Sequence, residues 1–170
     1  IATATRTPTP QPTPPLVWTA TFYDNLTLSG APVITATTTA IRYDWGLEAP
    51  ALGLPADGFS VRWTTTYTVT NRLYAFRLRA QGGARVLVDG EVALDQWEPG
   101  LDQTLVRRRA ANGPHQVTVE YRNVEGLASI TFTWLDARLG WLSSLADEVT
   151  LAEPPTPVMP AAKERLIRGW

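Results

Sequence analysis

Arg85-Val86-Leu87-Val88, then Asp89-Gly90, then Glu91-Val92-Ala93-Leu94 is the stretch that decides the fold. Two short aliphatic runs flank a dipeptide that tolerates positive φ at both positions, so the segment reads as a tight hairpin with a type I′ turn. The same period of two repeats on either side of it. Phe59, Val61 and Trp63 alternate with Ser60, Arg62 and Thr64, and Tyr74, Phe76 and Leu78 with Ala75, Arg77 and Arg79. Trp18-Thr19-Ala20-Thr21-Phe22 begins the series, while Val117, Val119, Tyr121 and then Ile130, Phe132, Trp134 close it. A period of two is that of strands with one face buried. Ser29-Gly30, Gly82-Gly83, Asn112-Gly113-Pro114 and Glu125-Gly126 punctuate the runs as turns. Roughly eight or nine short strands are expected, with no amphipathic helix before residue 140. Trp141 to Leu151 reads as a turn or a last strand, and Ala161 to Arg168 has helix-forming composition. The fold class is all-β, and alternation fits a β-barrel and a two-sheet sandwich equally.

A chain of 170 residues suits one domain with tails. The net charge of -1 gives no electrostatic reason for a nucleic-acid partner. Apolar runs are too short for a transmembrane segment. Without cysteine the chain has no disulfide, thiolate metal site or cysteine nucleophile. Ile1 to Pro15 holds five Pro and five Thr, a composition that favours an extended polyproline II spacer. Glu153-Pro154-Pro155-Thr156-Pro157-Val158-Met159-Pro160 is a weaker echo. The expected organisation is a Pro/Thr-rich linker over 1–16, a β domain over 17–152, and a Pro-rich linker with a short C-terminal segment over 153–170. Such tracts join surface domains, which places the chain outside the cytoplasm, secreted or on the cell surface. The start at Ile1, with no basic-then-apolar leader, reads as a processed product or a piece of something longer.

Few residues invite chemistry. His115 is the single histidine, and no local motif supplies it with an orienting partner and a nucleophile. Neither glycine pair opens a strand–glycine–helix unit of the phosphate-binding kind. No catalytic residue, metal ligand or cofactor is therefore expected. Arg107-Arg108-Arg109 reads as a solvated strand end or a salt-bridging patch. Of seven tryptophans, Trp18, Trp63 and Trp134 fall on core faces. Trp45, beside Asp44, and Trp97, close to Asp95, lie in expected loops. An aromatic ring next to a hydrogen-bonding acid suits a pyranose, and packing of a loop on the core explains the pairs equally. Asp44, Trp45, Asp95 and Trp97 are the candidate ligand-binding residues.

Several stretches together resemble the protective-antigen domain family (PA-fourteen). They are Trp18 to Asn25, Gly53 to Trp63, Gly83 to Gly90, Leu94-Asp95-Gln96-Trp97 and Gly113 to Tyr121, in matching order across about residues 17–136. The resemblance implies a lectin-like β-barrel, often attached to enzymes or adhesins. In the fungal sugar-binding members, an adjacent aspartate pair just before the Gly-x-Arg strand holds calcium, which in turn ligates sugar hydroxyls. The positions corresponding to that pair are Gln81 and Gly82. Calcium wants several hard oxygens with carboxylate charge, and these two residues offer one neutral carbonyl.

Two functions follow. The first is a non-enzymatic, extracytoplasmic structural subunit whose tails bind neighbouring protein subunits. The alternative is a calcium-independent carbohydrate-binding module that meets its glycan through loop aromatics and acids.

Overall fold

A computed structural model describes residues 16–69, 73–98, 104–109 and 111–136, with the backbone alone at 73–75, 104–109 and 134–136. Both Pro-rich segments, Trp141 to Leu151 and Ala161 to Arg168 lie outside the described residues. So does the side chain of Trp134.

The described chain forms ten strands and no helix: β1 (Trp18–Tyr23), β2 (Ile34–Thr38), β3 (Ile41–Gly46), β4 (Phe59–Val69), β5 (Leu73–Gln81), β6 (Gly83–Val88), β7 (Glu91–Gln96), β8 (Thr104–Arg109), β9 (Gly113–Asn123) and β10 (Ala128–Asp136). This exceeds the expected eight or nine. β2 and β3 escape notice because Ile34-Thr35-Ala36-Thr37-Thr38 alternates no bulky residue, and Trp45 belongs to β3 rather than a loop. Six strands pair in the order β2-β1-β4-β9-β6-β7, and four in the order β3-β10-β5-β8. Every pairing is antiparallel. Neither sheet closes on itself, so of the two expected architectures the protein adopts the two-sheet sandwich.

Alternation decides which side chains meet between the sheets. Phe59, Val61 and Trp63 of β4 are fully buried, as are Val117, Val119 and Tyr121 of β9. Phe76 and Leu78 of β5 and Ile130 of β10 cover them from the smaller sheet. Aromatic contacts stitch the layers: Trp18 meets Phe132 edge-on at 5.6 Å, and Tyr43 lies 5.5 Å from Trp63. Buried polar groups find backbone acceptors, for the hydroxyl of Thr65 donates to Val17 O at 2.7 Å and that of Ser60 to Asn25 O at 2.6 Å. Such bonds remove the cost of burying a hydroxyl.

The hairpin read from the sequence is present. Asp89 has φ 51° and Gly90 φ 80°, as a type I′ turn requires, and β6 pairs β7 with a shift of register after Val86. Asp89 also reaches beyond its turn: its backbone N–H donates to Gln116 O at 2.8 Å, and its Oδ1 accepts from Gln116 N at 2.8 Å.

One end of the sandwich gathers the β1–β2, β3–β4, β5–β6 and β9–β10 connections, since Tyr23 pairs with Ser60, Phe59 with Asn123, and Gln81 with Ser129. Asn123, fully buried, pins two of them together. Its amide donates to Ala56 O (3.3 Å), Asp57 Oδ1 (3.2 Å) and Gly126 O (3.3 Å). Asp57 Oδ1 also accepts from Gly126 N at 2.9 Å, so this aspartate is a loop staple.

Candidate functional site

The turn between β5 and β6 is where the resemblance puts a calcium-binding acidic pair. Gln81 Oε1 accepts from the Ser129 hydroxyl at 3.1 Å, and Gln81 O from the Tyr121 hydroxyl at 2.5 Å. Gly82 holds φ +114°, and a Cβ there would come within 2.6 Å of Arg122 O and 2.8 Å of the Tyr121 hydroxyl. An aspartate at 82 has neither the backbone conformation nor the room. Burial pushes the Tyr121 phenol well above its ordinary range, so it stays a neutral hydroxyl and not an oxyanion ligand. The residues present do not fit calcium.

Asp44 and Trp45 sit at the end of β3 on opposite faces. Asp44 is exposed, and its Oδ1 accepts from Gly46 N at 3.3 Å. Trp45 is half-buried: it stacks on Tyr43 at 5.0 Å and meets Phe59 at 5.4 Å and Tyr121 at 5.6 Å. It packs on the core between the sheets.

Asp95 and Trp97 belong to a different surface, the outer face of the six-stranded sheet. Asp95 is exposed and its Oδ1 accepts from Trp97 N at 3.0 Å, which bends the chain at the end of β7. That bend lays Trp97 back over β6. A Cβ on Gly83 would stand 2.1 Å from Trp97 O, so only glycine lets this segment lie so close. The Trp97 ring then faces two guanidinium groups, with Arg85 Cζ 4.3 Å and Arg122 Cζ 4.7 Å from its centroid. The six-stranded sheet therefore separates Trp45 from Trp97. The structure does not bring the two Asp/Trp pairs into one site.

Around Trp97 it assembles residues that the sequence did not single out. Across the strands, Arg62 of β4 stands opposite Glu120 of β9, which stands opposite Arg85 of β6, itself opposite Asp95 of β7. Glu120 is 4% exposed, and both its oxygens are held: Oε1 accepts from Arg62 Nε at 2.8 Å and Oε2 from Arg85 Nε at 2.5 Å. Arg122 Nη2 donates to Glu98 Oε1 at 2.8 Å. The patch thus combines an aromatic ring, fixed guanidinium donors and exposed carboxylate acceptors. Vicinal hydroxyls need both polar types and a pyranose ring needs the aromatic face. The outward charged positions of β4 and β9 were readable, but their convergence required the strand register.

His115 lies at the opposite end of the sheet. Its Nδ1 faces Asp89 Oδ2 at 2.6 Å and its Nε2 faces Ala111 O at 3.0 Å, so both ring nitrogens are directed at acceptors. The hydrogen bond to Asp89, then that to Ala111 O, raises its pKa above the usual 6.5. A group satisfied in this way is a brace, as expected for a structural histidine.

Among the described residues, two open antiparallel sheets carry a polar-aromatic patch on one outer face. Comparison with known proteins identifies the family. The family model described as the PA14 domain matches residues 15–150, and the chain belongs to that family. It is 32% identical over 106 residues to the anti-sigma-I factor RsgI3 of Acetivibrio thermocellus, a match that covers 58% of this chain and 16% of that protein. Among solved structures, an anti-sigma factor domain-containing protein from Clostridium clariflavum superposes with a TM-score of 0.63 at 24% identity, covering 72% of this chain and 42% of that one. A β-glucosidase from Kluyveromyces marxianus, solved in complex with glucose, gives 0.58 at 18% identity over 71% of this chain and 16% of its own. These solved structures share the fold. The chain spans less than half of each of these three proteins.

Proposed function

We propose that this chain is a non-catalytic, extracytoplasmic saccharide-binding module that needs no calcium and serves as the recognition part of a larger protein. The observation that carries this reading is the Trp97 patch. Arg85, Arg122 and Asp95 fix an aromatic ring on the outer face of a rigid sheet, amid outward donors and acceptors. Membership of the PA14 family supports recognition over catalysis, and the similar β-glucosidase fits a module that accompanies an enzyme. Similarity to anti-sigma factors supports a sensing role, in which the module reports on saccharide outside the cell. Calcium independence follows from the Gln81–Gly82 turn, which lacks both ligands and space. Asp95 and Trp97 are the contact residues in this reading, while Trp45 supports the core. The structural-subunit alternative depends on the tails, which lie outside the described residues.

A glycan array probed with the purified chain, with and without a calcium chelator, tests the proposal. The expected result is a saccharide signal that the chelator leaves intact. Loss of every signal with chelator, or none in either condition, would overturn it.

A further inference from the structure

Arg62 and Arg85 are tethered through Nε to one buried carboxylate, Glu120. This fixes both guanidinium groups and leaves their terminal amino groups outside the tether. Those amino groups make no hydrogen bond with other described residues, and each side chain keeps about a third of its surface exposed (33% and 32%). Arg122 stands beside them on β9, opposite Gly83, with its Nε buried and without a partner. Its amino group does have a carboxylate, from Glu98, whose side chain is 86% exposed. An ion pair so open to water adds little stability. Two guanidinium groups, those of Arg85 and Arg122, therefore lie against the Trp97 ring, with Arg62 across β9 on the same outer face, one buried counter-charge between Arg62 and Arg85, and one loosely held surface carboxylate on Arg122.

We infer that this patch recognises an acidic saccharide, with the uronate carboxylate of the ligand taking the place that Glu98 holds on Arg122. The inference rests on the saccharide-binding reading above and names the ligand class of that site. Planar guanidinium groups match a carboxylate through paired N–H donors, and Arg62 and Arg85 have such donors to offer. The ring of the same sugar lies against Trp97, while Asp95 holds the bend that positions the indole. Glu98 acts as an internal competitor, so removal of its charge improves binding. Sulfate esters carry the same charge on a tetrahedral group. A sulfated oligomer is thus the control for charge without carboxylate shape.

The test is calorimetric titration of the full chain with four probes. They are hexamers of galacturonate and of mannuronate, a carboxyl-reduced galacturonate hexamer, and a sulfated galactan oligomer. We expect one uronate hexamer to bind, with affinity falling as salt rises, and the reduced oligomer to bind at least about tenfold more weakly. Arg122→Gln should weaken uronate binding about tenfold or more. Glu98→Gln should strengthen it about two- to fivefold. Neither residue is tied to the buried carboxylate, so both variants should melt with the parent. Equal binding of uronate and reduced oligomers, or weaker binding in Glu98→Gln, would overturn the inference and leave the saccharide reading standing. Preference for the sulfated oligomer would overturn the carboxylate assignment. Binding of none of the probes, with a positive array for some neutral glycan, would refute the acidic class alone.

Discussion

At the scale of single residues, burial and pairing separate side chains that hold the fold from those that can meet a ligand. Trp63 is fully buried between Phe22 at 6.4 Å and Tyr43 at 5.5 Å, on the face that its alternation with Arg62 and Thr64 predicts. Trp63→Ala should cost about 3–5 kcal/mol, read as a lowered denaturant midpoint, because neighbours held in two sheets cannot collapse into the space. His115 makes a prediction about pH. Its pKa is raised first by Asp89 and then by Ala111 O, so its contribution is complete below its ordinary 6.5 and is lost as pH rises through the higher folded value. Asp89 is lowered from 3.8, first by the bond to His115 and then by the Gln116 N–H, so its share is present above 3.8 and lost as pH falls through the lower folded value. Between these limits the brace is strongest. Urea midpoints at about pH 5.5 and 8.5 should show the parent losing more stability on the alkaline side than His115→Gln does. Parallel profiles would show that the brace contributes nothing.

At the scale of elements, the turns carry most of what the sequence revealed and most of what it concealed. The Asp89-Gly90 hairpin was legible because its chemistry is local: two positive φ values demand those residue types. The strands β4, β9 and β10 were legible because each buries one alternate face. Trp45 was not. Arg42-Tyr43-Asp44-Trp45-Gly46 looks like a loop until the smaller sheet supplies β10 as its partner, after which Tyr43 and Trp45 share the inward face. The Trp97 patch was half legible. Asp95 and Trp97 stood out as a pair, whereas Arg85, Glu120 and Arg122 became neighbours only through pairing at separations no local pattern encodes. The role of Gly83 was equally hidden, because its need for a bare Cα arises from a segment crossing over it. The neighbouring Gly82 allows a sharp test. Restoring the acidic pair with Gln81→Asp and Gly82→Asp should lower the melting temperature and confer no calcium-dependent stabilisation, since positive φ and the Arg122 carbonyl both oppose a side chain at 82. A rise in melting temperature with added calcium would contradict the assignment of this turn.

At the scale of the whole molecule, the two sheets do different work. The smaller sheet closes the core over Trp63, Phe59 and Tyr121. The larger one carries Glu120 in the middle of its outer face and holds Arg62 and Arg85 at fixed positions. That rigidity suits recognition, because a ligand meets groups already placed and little freedom is lost on binding. A module of this kind fits as one part of a longer protein, consistent with the small share of its relatives that it spans. The central claim is that recognition uses the outer face at Trp97 and not the calcium turn or Trp45. It is tested most directly by calorimetric titration of a saccharide selected on the array, in the presence of chelator, against Trp97→Ala and Trp45→Phe. The account predicts that Trp97→Ala loses about tenfold or more in affinity at an unchanged melting temperature, as removal of a stacking ring does. It predicts that Trp45→Phe binds as the parent does. Full affinity in Trp97→Ala, or loss confined to Trp45→Phe, would contradict it.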